Sequence, residues 1–142
     1  MVSRSLRSAG HRVASLDIRL GEECPGKQNP MDLATPSGMA LALATILNGK
    51  SDEFLAILAP VCSSFSGMNV AVHKRCALWP EGDTTMPSVR LGNLLCSRCC
   101  LLLLLITAMN GAWLLEQPAG SYMPWYQDLV EAFRQIGEVG AT

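Results

Sequence analysis

Three short apolar runs, separated by segments with helical patterns, limit what this chain can fold into more than any other feature of its sequence. The runs cover residues 13–18, 54–59 and 112–115, and a polar or reactive side chain lies at or just beyond the end of each. The run at 54–59 is continuous and bounded by acids and a proline, which is typical of a strand buried on both faces of a parallel sheet. We therefore predict one strand in each run.

The segments around these runs favour helices. Residues 37–48 are strong helix formers that open with Ser37 and are followed by Gly49, a common C-terminal stop. Residues 89–109 form the longest segment, which is amphipathic in its first half and apolar all round in its second. Such a helix is expected to pack across a sheet. The other two helical segments are residues 3–11 and 122–136.

The alternation of helix and strand predicts an α/β fold with right-handed crossovers between parallel strands. We expect a Rossmann-like three-layer sandwich with a mostly parallel sheet, in a single domain that spans residues 1–142. With 49% hydrophobic and 16% charged residues, the composition is that of a folded protein and not of a disordered one. The polar segment 63–87 is too long for an ordinary connection, which predicts a functional or mobile loop.

Six cysteines could form disulfides, but the basic N-terminus lacks the apolar stretch of a secretory leader. We therefore expect reduced thiols and an intracellular protein, without a more specific compartment. The apolar run 99–109 is shorter than the roughly 20 residues that a membrane-spanning helix needs. A buried helix is the favoured interpretation, and a membrane-associated protein is the less favoured one.

Each predicted strand ends near a side chain that can take part in chemistry, namely Asp17, Cys62 and Glu116. In open parallel sheets, ligands bind beyond the carboxyl ends of the strands, so these side chains are expected at one edge of the sheet. Each also has an ordinary interpretation: the acids as loop carboxylates and the cysteine as a small buried side chain. Both interpretations stay open at this point.

Four short motifs, VASLDI, MDL, APVCSSFS and WLLEQP, stand in this order along the chain. Together they resemble the consecutive strand-end motifs of cytosine-5 DNA methyltransferases. The resemblance implies that Cys62 is the nucleophile that adds to the cytosine ring, and that Glu116 hydrogen-bonds to the base. It also implies that S-adenosylmethionine is the methyl donor.

The resemblance assigns the methyl donor to a second set of residues. Asp17 and the adjacent Ile18 would lie at its ribose, and Asp32 would lie by its adenine. Pro60 belongs to the family's Pro-Cys loop and would also contact the cofactor.

DNA is the partner that the resemblance implies. The loop after the cysteine would close over the duplex, with Ser66, Lys74 and Arg75 near the nucleic acid. Because the formal net charge of the chain is −1, binding would depend on this local basic cluster. An ordinary solvated charge cluster is the favoured interpretation of these residues, and a DNA contact is the less favoured one.

The chain departs from the family's pattern in several places. Val61 separates Pro60 from Cys62, and Gln117 and Pro118 replace the family's Asn-Val after the glutamate. The glycine-rich cofactor loop and the target-recognition region have no counterpart within these 142 residues. We therefore expect a domain that is truncated at both ends and inactive as an isolated chain.

A second class of function stays open: a non-catalytic α/β domain that binds a protein partner, or that self-associates through an unpaired sheet edge. Other sites have less support. Cys96 and Cys99 form one C-x-x-C pair, but zinc needs about four ligands, so no metal is expected. The sequence holds no phosphate-binding glycine motif, which disfavours a nucleotide hydrolase.

Overall fold

The structure is a computed structural model that describes residues 2–21, 29–50 and 53–139. These residues form two compact units, one that ends at Asn48 and one that begins at Gly49. Each unit is described by itself, and the expectation of a single domain stays a prediction. Cys24 lies outside the described residues.

The N-terminal unit is helical in its described part. It contains helix α1 (Val2–Ser8), a 3-10 helix (Ile18–Leu20) and helix α2 (Pro36–Leu47). The Thr35 hydroxyl caps α2 by accepting a hydrogen bond from the amide of Gly38 at 3.0 Å. A Cβ atom at Gly38 would lie 1.9 Å from the carbonyl oxygen of Asp32, so only glycine allows this close approach. The predicted helix at 37–48 is thus confirmed.

The predicted strand at 13–18 is wrong. Residues 11–17 have no regular secondary structure, and Ile18 begins a 3-10 helix. Local hydrogen bonds hold the two ends of the segment instead. The guanidinium of Arg7 donates to the carbonyl of Val13 at 3.0 Å, and the carboxylate of Asp17 accepts from the amide of Arg19 at 2.9 Å. Short-range bonds of this kind compete with a sheet ladder.

The C-terminal unit contains a parallel pair of strands. Strand β1 (Leu55–Leu58) runs alongside strand β2 (Ala112–Leu115), with Leu55 opposite Ala112 and Leu58 opposite Leu115. Two of the three predicted strands are thus confirmed as parallel neighbours. Its elements in chain order are β1 (Leu55–Leu58), a 3-10 helix (Gly67–Asn69), α3 (Val70–His73), α4 (Pro87–Ala108), β2 (Ala112–Leu115), a 3-10 helix (Met123–Trp125) and α5 (Gln127–Val139).

The core of this unit lies between one face of the sheet and helices α4 and α5. Leu58, Trp113 and Leu115 on that face pack against a cluster of buried side chains. The cluster consists of Phe65, Cys96, Cys100, Leu103, Met123, Tyr126, Leu129 and Ala132. The prediction that the longest helix packs on the sheet is therefore confirmed.

The opposite face of the two strands is apolar and uncovered. Leu55, Ile57 and Leu114 are 58%, 45% and 50% exposed. In the part of the chain that the structure describes, the sheet has two strands, which is compatible with an α/β class. A doubly covered sheet would bury this face as well.

Among the described residues, α4 is the one helix long and apolar enough to cross a membrane. In its most apolar stretch 39% of the residues are buried, and Leu103 and Ile106 have no exposed surface. The central helix of a soluble protein can have the same length and composition, so this feature is weak support for a membrane span.

Candidate active site

The ends of β1 and β2 place two of the predicted site residues at one edge of the sheet. The amide of Glu116 donates a hydrogen bond to the carbonyl of Leu58 at 2.8 Å, so the parallel pairing continues to the glutamate itself. Next to it, the side-chain amide of Gln117 donates to the carbonyl of Pro60 at 3.2 Å. The loop that leads to Cys62 is thereby tied to the residue that follows the glutamate.

Cys62 opens a tight turn that the loop after β2 holds from the other side. The amide of Phe65 donates to the carbonyl of Cys62 at 2.9 Å, and the carbonyl of Phe65 accepts from the amide of Tyr122 at 2.8 Å. Cys62 is half-buried and Glu116 is exposed. Both residues thus follow neighbouring parallel strands at one sheet edge, and a common crevice for the thiol and the carboxylate stays a prediction.

Arg75 is buried and does not lie at a surface that could meet a phosphate. Its guanidinium donates to the hydroxyl of Ser64 at 3.1 Å and to the carbonyl of Val89 at 3.2 Å. It also donates to the carbonyl of Pro80 and lies over the ring of Phe65, 3.7 Å from the ring centre. Burial lowers the pKa of Arg75. From the sequence, Arg75 is expected to contact DNA. Its buried position does not fit that role, because the residues that follow it, including Pro80, fold back over its side chain.

Lys74 and Ser66 keep positions at or near the surface. The Lys74 ammonium lies 2.8 Å from the carboxylate of Asp83, and the residue has a positive φ of 53°. The hydroxyl of Ser66 accepts a hydrogen bond from the amide of Met68 at 3.3 Å and begins the 3-10 helix. Three residues are expected from the sequence to lie near DNA. Of these, only Lys74 has a charged group exposed to solvent, and that group lies beside the carboxylate of Asp83.

Acidification is expected to weaken the contact between Lys74 and Asp83. Hydrogen bonds from Lys74 and then from Thr85 hold the pKa of Asp83 at about 2, below its ordinary 3.8. A carboxylate with a lowered pKa in the folded state stabilises that state above the unfolded pKa, and this contribution is lost as the pH falls from 3.8 to about 2. The effect is small because water screens the exposed ammonium.

Urea denaturation of the wild type and of Asp83→Asn across this pH window measures the contribution. The asparagine variant should lose less free energy of unfolding on acidification than the wild type. Equal losses in the two proteins would contradict the assignment.

The motifs place Asp17 and Ile18 at the ribose of S-adenosylmethionine. In the structure neither residue follows a strand. Asp17 caps the 3-10 helix that begins at Ile18, and both residues are exposed. A ribose site of the expected kind needs the carboxylate beyond a strand end, at the edge of the sheet. The position of Asp17 therefore does not fit the cofactor in the way that the motifs imply.

The other two cofactor residues lie in different units. A carboxylate oxygen of Asp32 accepts a hydrogen bond from the amide of Ala34 at 2.8 Å, in the turn that precedes α2. Pro60 belongs to the C-terminal unit, in the loop after β1. The proposed chemistry consequently rests on the C-terminal unit alone.

The cysteines of α4 are packed in the core. Cys96, Cys99 and Cys100 are buried. A hydrogen bond with Cys100, together with burial, raises the pKa of Cys96, and burial raises the pKa of Cys99 to about 12. Among the described residues no three His, Cys, Asp or Glu side chains gather in a way that could hold a metal ion. The raised pKa values keep the thiols of Cys96 and Cys99 protonated, whereas the hydrogen bond with Cys96 lowers the pKa of Cys100.

The buried cluster around Arg75 is the part of the site that sequence reasoning missed. This cluster consists of Arg75, Ser64 and Phe65. Two glycines, Gly82 and Gly92, lie so close to it that a Cβ atom at either position would collide with one of its side chains. At Gly82 the atom would lie 2.6 Å from Cγ of Arg75, and at Gly92 it would lie 2.2 Å from the hydroxyl of Ser64. Glycines at such places mark a close approach that sequence pattern alone does not locate.

No protein-family profile, no curated protein and no solved structure matches this chain. The resemblance to cytosine-5 DNA methyltransferases accordingly stays a prediction from the strand-end motifs. The functional argument rests on those motifs and on the geometry of the C-terminal unit.

Proposed function

We propose that this chain is an S-adenosylmethionine-dependent DNA (cytosine-5) methyltransferase-like domain of Rossmann-like α/β architecture that is inactive as an isolated chain. One observation carries the proposal: Cys62 and Glu116 follow adjacent parallel strands at the same edge of the sheet. This is the arrangement in which side chains from two strand ends can act on one ligand.

The proposed nucleophile is the thiolate of Cys62. Cytosine is too electron-poor at carbon 5 to accept a methyl group unaided. Addition of the sulfur to carbon 6 forms a C–S bond and moves the electron pair of the ring double bond toward carbon 5. Elimination of the thiolate, with loss of the carbon 5 proton, later restores the aromatic ring.

The proposed partner of the thiolate is the carboxyl group of Glu116. It would hydrogen-bond to the ring nitrogen and the exocyclic amine of the base, which lowers the energy of the charge that develops when sulfur adds. The base must first leave the duplex to reach a pocket of this kind. S-adenosylmethionine supplies the methyl group when it is bound.

The 142-residue chain taken alone is expected to show no measurable methyl transfer. Thiolate and carboxylate accelerate the reaction only when base and methyl donor are held in line, and a misplacement of about 1 Å costs on the order of a hundredfold in rate. Asp17 does not lie at a strand end, so the donor lacks the positioning that the motifs suggest. The assay is incubation with labelled S-adenosylmethionine and mixed-sequence DNA, next to a Cys62→Ala control. Methyl transfer that disappears in the control would contradict this expectation and support the catalytic role of the thiol.

A second candidate function is a non-catalytic domain that associates with a second copy of itself. The uncovered apolar face of β1 and β2 favours this alternative, as does the unpaired outer edge of each strand within the described sheet. Neither feature requires the thiol of Cys62 or the carboxylate of Glu116. Covalent capture of a reactive base at Cys62 therefore separates the two candidates.

A further inference from the structure

Arg75 is the largest side chain that is fully buried in the described part of the chain, with 1% of its surface exposed. No carboxylate among the described residues forms an ion pair with it, and its Nε atom has no hydrogen-bond partner there. A buried charge without a direct ion pair is costly to keep, even with the carboxylate of Glu81 close enough to attract it. The hydrogen bonds of the Arg75 guanidinium offset part of this cost.

Two contacts of Arg75 reach the turn that carries Cys62. The guanidinium reaches the third residue of that turn through the Ser64 hydroxyl and the fourth through the Phe65 ring. Phe65 in turn bonds the carbonyl of Cys62 through its amide, at 2.9 Å. Two direct contacts and one backbone bond therefore link the arginine to the residue that bears the thiol.

The same guanidinium fixes the turn to helix α4. One nitrogen donates both to Ser64 and to the carbonyl of Val89 in the first turns of α4. The other terminal nitrogen donates to the carbonyl of Pro80. A planar fork with several donors can make these bonds together, whereas the single ammonium of a lysine cannot.

We infer that Arg75 is a positioning residue for Cys62, which holds the turn from Cys62 to Phe65 against α4 and so fixes the place of the thiol. The inference rests on the proposed role of Cys62 as nucleophile. It replaces the DNA contact that the sequence suggested for Arg75 with a function inside the protein.

The test is the rate at which iodoacetamide alkylates Cys62, measured by peptide mass spectrometry at several pH values. Cys24 and Cys76 are first replaced by serine, because Cys76 is exposed and would compete. The three buried cysteines of α4 then report on the core in the same sample: if the core opens, they become alkylated too. Measurement over pH separates a changed accessibility of the thiol from a changed thiolate fraction.

Arg75→Lys is expected to raise the alkylation rate of Cys62 about tenfold while the buried cysteines stay protected, because the turn opens locally when its buried bonds are lost. Ser64→Ala removes one of these bonds and should raise the rate by a smaller factor. Arg90→Lys is the matched control, because the guanidinium of Arg90 donates to the carbonyls of Thr84 and Thr85, which lie outside the turn. Its Cys62 rate should equal that of the parent protein.

An unchanged Cys62 rate in both Arg75→Lys and Ser64→Ala would overturn the inference. So would simultaneous exposure of Cys62 and the buried cysteines, since Arg75 would then support the whole core and not the turn. If Arg75→Lys fails to fold, Ser64→Ala decides by the same two criteria. The assay contains neither DNA nor methyl donor, so a failure of the proposed methyltransferase chemistry would leave its result unaffected.

Discussion

Phe65→Ala is expected to lower the free energy of unfolding of the C-terminal unit by about 3–5 kcal/mol, the usual cost of removing a large buried aromatic ring. Phe65 has no exposed surface and packs edge-on against Tyr126, with ring centres 5.8 Å apart. The substitution also removes the ring beneath the guanidinium of Arg75. A loss of this size is a large part of the roughly 5–15 kcal/mol that stabilise a typical domain.

Urea denaturation followed by tryptophan fluorescence measures this loss. The three tryptophans of the chain, Trp79, Trp113 and Trp125, all belong to the C-terminal unit, so the signal reports on that unit. Phe133→Ala is the matched control. Phe133 is 39% exposed and stacks on Trp113, a pair worth about 0.5–1.5 kcal/mol beyond the area it buries, so its removal should cost less than removal of Phe65. Equal losses at the two positions would show that Phe65 is not the centre of this core.

Gly92→Ala is expected to destabilise the same unit by about 1–3 kcal/mol, because the added methyl group overfills a closed site. The new Cβ atom would lie 2.2 Å from the hydroxyl oxygen of Ser64 and 3.3 Å from a terminal nitrogen of Arg75. The serine can turn away only by giving up its bond to the buried guanidinium. The cost therefore includes both a steric and a polar contribution.

A double-mutant cycle with Ser64→Ala distinguishes this explanation from a general loss of helix stability. Removal of the hydroxyl eliminates the closest contact of the new methyl group, so the double variant should lose less stability than the sum of the two single variants. Gly137→Ala in α5 serves as control, because a Cβ atom there would meet nothing within 4 Å. Strict additivity at Gly92 and Ser64 would contradict the proposed collision.

The strands and the longest helix could be predicted because their sequence pattern agrees with their tertiary surroundings. Phe54 and the residues of β1 form a continuous apolar run, and α4 is apolar where it meets α5 and the sheet. The segment at 13–18 has the same apolar character but lacks the β-ladder that would make it a strand. Side-chain hydrogen bonds hold its two ends instead: Arg7 donates to the carbonyl of Val13, and the carboxylate of Asp17 accepts from the amide of Arg19. Sequence pattern does not report such competition.

Only the part of the candidate site that depends on strand topology could be predicted from the sequence. Parallel pairing of two strands brings the positions after them to one edge, which is why Cys62 and Glu116 could be named from the order of motifs alone. The burial of Arg75 could not be predicted, because a charged residue beside Lys74 in a polar loop is usually solvated. Its burial depends on long-range contacts with Ser64 and Val89 that no local pattern encodes.

The most direct test of the proposed chemistry is covalent capture of a single-stranded oligonucleotide that contains 5-azacytosine. The ring nitrogen at position 5 makes carbon 6 a better acceptor for a thiolate and takes up the proton that completes the addition. Capture requires no methyl donor, because the addition consumes only the thiolate and a proton. The reverse elimination needs loss of that proton from the ring nitrogen, so quenching and digestion at acidic pH preserve the adduct for analysis. The chain can therefore be captured although it is not expected to transfer methyl groups.

Peptide mass spectrometry of the captured protein identifies the thiol that reacts. We predict an adduct on Cys62 that is absent with a cytosine oligonucleotide and in Cys62→Ser, and that forms about a hundredfold more slowly in Glu116→Gln. Cys76, which is the more exposed thiol, should remain unmodified. No adduct, or an adduct on Cys76 at the rate seen for Cys62, would contradict the proposal that Cys62 and Glu116 act together on a pyrimidine base.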